Sequence, residues 1–501
     1  MMQIWFWVAI SLLFVLIVVF AYAGRKRSTS IGSHQVPEGL GFVSLALSTA
    51  ATQASPATFL GVAGFAFTSG LSGLWWIIVV PLAYTGGLVL VSKGFRRVGL
   101  RFGSLSLPDW MGARYQSNLI RVLVATLYLA SVFFVVAQFS GMGQILAVVG
   151  GIDYKVGLIA VAVVVSLYTL IGGNYAVVKT DAWQAAFMAL VSLGVAVGVL
   201  FVFSSVGEIS ERLADQGPKL TAVFNDDFPI YSGILALAGI AVFQAMNATP
   251  PHVVNRLLML GEQGKLRPYI LLTGVTVLLL SMSAVAGVAA KALVADQVQA
   301  PDQASLVLVE VIFPAGLAAL FAVGVVAAAI STVNSVLSSM GASVGNDIYR
   351  RLALRNSGAS VAHPRVDKIA LSLTRVTILV STLVALTLAW NPPEFLAVIA
   401  ALGLYGFFAG VSGPLVLGIF WRRATPVAAA VTVLAGPAFF FLLNFVLEVT
   451  PNVFINGAFS IIFSFALMYA VSLVTPKMSA SFTESVVAGG ATEVHDGRAQ
   501  S

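Results

Sequence analysis

The chain has 501 residues, of which 59% are hydrophobic and only 9% charged, at a mean hydropathy of +0.96. Soluble domains carry about 25% charged residues, so the composition excludes one and implies a polytopic membrane protein. The net charge of +7 does not point to nucleic acid, because the basic residues sit in short clusters between apolar runs, and zero cysteines exclude disulfides, thiolate metal sites and cysteine nucleophiles.

At roughly 20 apolar residues per crossing, the chain reads as all-α with about thirteen spans. They fall near 3–23, 40–68, 71–94, 118–142, 155–173, 181–205, 229–248, 268–293, 306–334, 367–390, 393–420, 425–447 and 454–474. No basic residue precedes the first span and Arg25-Lys26-Arg27 follows it, the reverse of a cleavable signal peptide. It is expected to be retained with its N-terminus outside. Alternation then leaves Lys155, Arg212, Lys219 and Lys291 outside. It places Arg96-Arg97, Arg350-Arg351, Arg422-Arg423 and the C-terminus in the cytoplasm.

The second span is the most informative. Within an apolar run it carries Ser48, Thr49, Thr52, Gln53, Ser55, Pro56 and Thr58. A lipid-facing helix would not be built so, because a break at membrane depth survives only where it faces protein or a cavity. Ser55-Pro56 is an N-cap and first-position pair that starts a new half-helix. Its amides at Ala57 and Thr58 would favour an anion, and the carbonyls of Ala51 and Ala54, freed upstream, would suit Na⁺. A Pro-kinked helix with back-bonded hydroxyls is the alternative at this point.

Further along, Trp76 and Trp75 open the third span as interfacial anchors or solute contacts. Gln138, Gln244 and Asn247 are costly inside a membrane unless paired, and with Phe243 are candidates for interhelical bonding or solute contact. Gly172-Gly173 predicts a tight turn, after which Thr180 or Asp181 would cap the sixth span. Asp181 is also the acid best placed to attract a departing cation. The outer segment from Ser205 to Pro229, rich in Asp and Glu, predicts a short amphipathic capping helix. Pro250-Pro251-His252 reads as a cytoplasmic break that ends the seventh span, with Arg256 following at helical spacing.

The ninth span supplies a second neutral oxygen cluster in Ala327 to Ser335. Its alanines allow close packing. Ser331 and Thr332, about 100° apart on a helix, can both reach one ion held against the broken second span. No Asp or Glu lies near either cluster, so neutral dipoles would hold a monovalent ion, whereas a divalent one would want carboxylates. The tail from Ser479 is small and polar and is expected to be unstructured.

Four blocks in this order resemble the sodium/solute symporter family: Ser48 to Gly64; Tyr168 to Gly173 through Asp181 and Gln184; Pro251 to Arg256; and Ala328 to Thr332 through Asn346-Asp347-Ile348-Tyr349. The resemblance covers about Leu40 to Trp421. It implies a five-plus-five inverted repeat of broken helices, here 40–205 and 229–423. These would be preceded by a first helix and loop (1–39), joined by an outer loop (206–228), and followed by helices (424–478) and the tail (479–501).

It further implies Na⁺ as coupling ion, held by the carbonyls of Ala51, Ala54 and Ala328 and the hydroxyls of Ser331 and Thr332, with Asp181 on the exit route. The proline branch has an aspartate where this chain has Gln53, which disfavours a cationic solute. The stretches Trp390 to Phe395 and Gly413 to Arg423 look most similar to the pantothenate and monocarboxylate branch.

The expectation is therefore a Na⁺-coupled importer of a small organic solute, most simply a carboxylate, in the inner (plasma) membrane. An amino-acid (proline-like) or sugar solute is the alternative, and a solute-sensing membrane module the rival of another class. Gln53, Ser55, Thr58, Trp76, Gln138, Phe243 and Gln244 are the candidate solute contacts. No cofactor, nucleic acid or obligate protein partner is called for, and an enzyme would need a paired nucleophile and base that the chain lacks.

Overall fold

Hydrocarbon offers a backbone amide or carbonyl no partner outside the protein, so spanning segments satisfy their own backbone as helices. The computed structural model describes residues 1–25, 31–203, 205–261, 265–356, 364–391 and 396–487. Among these residues every regular element is helical. Lys26, Arg27, Pro392 to Phe395 and the tail from 488 lie outside the described residues.

Ten described helical runs are long and apolar enough to cross a membrane, and Ile234–Met246 with Pro251–Met259 adds a pair bent by 45°. Two of the ten, Ala57–Arg101 and Tyr154–Val202, have 45 and 49 residues. At 1.5 Å per residue these would be about 68 and 74 Å long, more than twice a hydrocarbon core of about 30 Å, so each makes two crossings. The turns are at Gly70 and Gly173, with φ of 70° and 58°. In that region a side chain is strained, which explains glycine at both points. The described residues thus form thirteen crossings, numbered here in chain order.

The second crossing is broken, Phe42–Ala51 followed by Ala57–Gly61 and Val62–Ser69. The seventh is the bent pair. The ninth runs from Ala315–Ala342 into Ser343–Arg350 and, equally with Gly403–Phe420, is the most enclosed of the described apolar runs. The second and seventh crossings are broken, and the ninth packs against both.

Three expectations change here. Pro250-Pro251-His252 lies within the seventh crossing, because Pro251 starts a second half-helix whose residues are all buried. The sixth crossing begins just after Gly173, so Thr180 and Asp181 are two turns inside a helix and cap nothing. The tail begins with a helix, Ala480–Val487, with Phe482 packed on Phe102. The outer segment does form its short helix, Val206–Ala214, capped by the Ser205 hydroxyl.

Glycines set the helix spacing around the breaks. A Cβ on Gly87 would strike the Ala245 carbonyl of the seventh crossing, and one on Gly287 the Ala63 carbonyl of the second. Gly86, its neighbour, faces open space. Gly87→Ala should therefore lower stability by about 1–3 kcal/mol, as overpacking does. Gly86→Ala should leave it unchanged or slightly raised, since alanine is the better helix former. Melting curves of the two detergent-solubilised variants check this; equal melting temperatures would refute the close approach.

Candidate functional site

The break in the second crossing is built by its own sequence. After Ala51 the helix tightens, with Thr52, Gln53 and Ala54 amides donating to the carbonyls of Thr49, Ala50 and Ala51 at 3.2, 2.9 and 3.1 Å. Ser55 then caps the next half: its hydroxyl accepts from the Thr58 amide at 3.3 Å, and the Thr58 hydroxyl donates to the Gln53 carbonyl at 2.6 Å. The second half starts with a wide π-helical turn, Ala57–Gly61, a distortion frequent at functional sites. Its loosened carbonyls find partners on neighbouring helices, Thr58 on Ser283 at 3.0 Å and Phe59 on Ser305 at 2.9 Å.

The ninth crossing meets this break at the predicted cluster. Thr332 Oγ1 lies 2.9 Å from the Ala54 carbonyl and 3.0 Å from that of Ala328, and the Ser331 hydroxyl donates to Ala328 at 2.8 Å. Ala51, Ala54, Ala328, Ser331 and Thr332 are all buried. The Ala51 carbonyl is not wholly freed as expected, since it accepts from the Ala54 amide, but a carbonyl has two lone pairs. The cluster is thus a set of neutral oxygens joining two helices through one hydroxyl, Thr332.

Beside it lies a cleft lined by Gln53, Ser55, Thr58, Trp76, Phe243 and Gln244, among others. Six of the seven expected solute contacts therefore converge. Gln138 does not line the cleft; it is fully buried in the fourth crossing, with neither amide atom hydrogen-bonded among the described residues. Trp75 points away, its indole donating to the Val223 carbonyl at 2.9 Å while its ring stacks on Phe224.

The cleft also uses residues beyond those seven. Asn247 donates to Gln53 at 3.1 Å and lies 3.4 Å from Gln244, so one amide chain ties the two breaks together. Phe134 and Phe454 add aromatic walls, with Phe454 set edge-on to Phe243 and Trp76. Among the described residues no charged side chain lines the cleft. Asn247 was readable as a polar residue three positions before a Pro-Pro pair, whereas the two phenylalanines carry no signal distinguishing wall from core.

Towards the end of the bundle bearing Arg96 and Arg350, a second and much smaller cavity is lined by Asn174, His252, Asn255, Arg256, Ser335 and Ser339, among others. Here Asp181 meets a partner that sequence spacing did not suggest. Arg256 Nη2 donates to Asp181 Oδ2 at 2.7 Å, and the side chains are 3% and 0% exposed. Ser48 and Ser335 each accept from the guanidinium at 2.7 Å and donate to the same carboxylate oxygen, at 3.2 and 3.0 Å. Arg256 was expected at a cytoplasmic surface. It is instead drawn in because a buried carboxylate needs a counter-charge.

Comparison with known proteins agrees with this architecture. Residues 37–436 match the Sodium:solute symporter family. The chain is 26% identical to the sodium/pantothenate symporter of Escherichia coli (strain K12) over 96% of its own length and 98% of that protein's. It is 24% identical to the osmoregulated proline transporter of Bacillus subtilis (strain 168), covering 86% and 87%. With a sodium/proline symporter of Staphylococcus aureus it shares 25% over 94% and 92%. Its fold is similar to the substrate-bound, outward-open structure of a Na⁺-coupled sialic acid symporter, with TM-score 0.77, 18% identity and coverage of 95% and 99% of the two chains. The chain belongs to the sodium:solute symporter family and is a multi-pass membrane transporter that uses Na⁺ as its coupling ion.

Proposed function

We propose that this protein imports a small organic carboxylate, of monocarboxylate or pantothenate-like type, together with Na⁺ across the plasma membrane, its N-terminus outside and C-terminus in the cytoplasm. The observation that carries the solute class is the chemistry of the cleft. Its wall includes the start of a half-helix at Ala57 and Thr58, its polar groups are the amides Gln53, Gln244 and Asn247 and the hydroxyls of Thr52, Ser55, Thr58 and Ser281, and none of the described lining residues is acidic. A carboxylate there gains from the positive end of the helix and meets no like charge. A positively charged amine would find only amide and hydroxyl oxygens.

An amino-acid solute is the second reading, favoured by proline-transporting relatives as similar as the pantothenate one. Uptake into proteoliposomes of labelled pantothenate, acetate and proline, with and without an inward Na⁺ gradient, separates the two. We expect Na⁺-dependent uptake of a carboxylate that proline does not inhibit; Na⁺-driven proline uptake unaffected by carboxylates would overturn the assignment.

In this reading Na⁺ sits between the second and ninth crossings, on Ala51, Ala54, Ala328, Ser331 and Thr332. Binding there replaces the Thr332–Ala54 hydrogen bond with a stronger tie and so favours one packing of the two helices. An ion and a solute that both prefer the same state raise each other's affinity, which is the coupling. At −100 mV each Na⁺ that enters gains about 2.3 kcal/mol from the potential alone.

Two variants test the assignment. Ser331→Ala with Thr332→Ala should raise the half-saturating Na⁺ concentration about tenfold or more, within the usual range of coupling energies, at near-normal expression. An unchanged Na⁺ dependence would place the ion elsewhere. Gln53→Glu should cut carboxylate uptake about tenfold or more, because a second negative charge in a low-dielectric cleft repels the solute by more than 1 kcal/mol. Equal uptake by this variant would remove Gln53 from the solute site.

A further inference from the structure

Asp181 is not a free acceptor for a departing ion, because a guanidinium already occupies it. Arg256 binds Asp181 Oδ2 at 2.7 Å, and Ser48 and Ser335 relay between the two groups. Arg256 Nη1 also bonds the His252 carbonyl. The knot therefore draws together the second, sixth, seventh and ninth crossings. Ser335 is one helical turn beyond Ser331, so an ion moving along the ninth crossing from the neutral cluster next meets a hydroxyl that is part of this knot.

Two further features make the pair look exchangeable. Asp181 Oδ1 is buried with no hydrogen-bond partner among the described residues, so the carboxylate has an open lone-pair side. Arg256 borders the second cavity, together with Ser339, Asn255 and Asn174, a space too small in this packing to take the head group, so the head group leaves Asp181 only as that cavity widens. That cavity is separated from the solute cleft by His252, held by Tyr128 at 2.8 Å and flanked by Phe134.

We propose that Arg256 is the internal cation that Na⁺ must displace from Asp181, and that this exchange couples ion exit to opening of the pathway towards the basic end. Removing either charge alone would strand the other in a dry interior at a cost of several kcal/mol. Replacement of one cation by another keeps Asp181 neutralised throughout. The displaced guanidinium keeps its charge and needs water, which it gains only if the second cavity opens. Ion arrival and opening are thereby one event, and the hydrogen bonds from Arg256 to Ser48, Ser335 and the His252 carbonyl are what the opening breaks. The exchange rests on the proposed ion route through Ser331 and Thr332, and adds to it a residue in positioning, not in contact with solute.

The test uses the purified full-length chain with ²²Na⁺ as the probe, and a reporter made possible by the absence of native cysteine. Arg256→Gln should bind Na⁺ about tenfold more tightly, because the carboxylate is left without its competitor, and the double variant Arg256→Gln with Asp181→Asn should lose that gain. In a Ser339→Cys background, Arg256→Gln should raise the rate of labelling by an impermeant thiol reagent applied from the basic side. Where Arg256→Gln does not fold, Arg256→Lys serves: it keeps the charge but cannot hold Ser48, Ser335, His252 and Asp181 together, so both effects should appear in the same direction and smaller.

Folded variants that bind Na⁺ within about twofold of the parent and label at its rate would overturn the exchange. So would tighter binding that persists in the double variant. If Ser331→Ala with Thr332→Ala leaves Na⁺ dependence unchanged, the ion route itself falls; if that pair shifts it and the Arg256 variants do nothing, only the exchange does.

Discussion

The structure depends on how backbone groups are satisfied where a helix stops inside hydrocarbon. Each unsatisfied carbonyl or amide there costs several kcal/mol, so a break persists only if other helices supply partners. At the second crossing those partners are Thr332 for Ala54, Ser283 for Thr58 and Ser305 for Phe59, from the ninth, eighth and following segments. The break therefore fixes which helices must pack beside it. It also leaves neutral oxygens and a half-helix end facing one small volume, which is what an ion and an anionic solute need.

Polarity is divided along the bundle. The cleft at the level of the breaks is uncharged among the described residues, while the buried ionic groups collect towards the basic end. There Asp109 bridges Arg121 at 3.3 Å and Arg351 at 2.5 Å, Ser106 donates to Asp347 at 2.6 Å, and Arg114 holds the Gly418 carbonyl at 2.6 Å. These bonds join the helix Leu107–Arg114 to the ends of the ninth and eleventh crossings. The opposite end is tied by lighter contacts such as Asn225 to the Ser69 carbonyl. The heavier set of ties marks the end that is costlier to open.

Much of this was legible in the chain because its strongest signals are local. Apolar run length separates the crossings, and Ser55-Pro56 within a polar patch marks a break, since proline removes a donor and serine supplies a cap. The hidden parts are those where local and tertiary logic diverge. Pro250-Pro251 reads as a helix end by the same rule, and only packing of Pro251–Met259 inside the bundle shows that the crossing continues. Gly173, not Thr180, starts the sixth crossing because a left-handed residue already breaks the helix there. Gln138 and Gln244 look alike in sequence, yet one is enclosed and the other lines the cleft, a difference set by helix rotation.

The Arg256–Asp181 pair could not be read from spacing, because its partners are 75 residues apart and each has a local explanation at a helix end. Buried ion pairs are seldom a net gain in stability, since desolvation offsets attraction and apolar replacements often do as well. A pair with 3% and 0% exposure, held by two serines from two further helices, is thus poorly explained as a device for holding the fold together. In the proposed exchange its value lies in being separable by a competing cation. The proposed ion site one turn away, made of neutral oxygens, would release Na⁺ readily because it has no carboxylate. A carboxylate placed next along that path would accept the ion only if its resident cation left. A path with a weak site followed by an occupied strong one would advance only when the bundle rearranges, and so would avoid a leak without a steric plug.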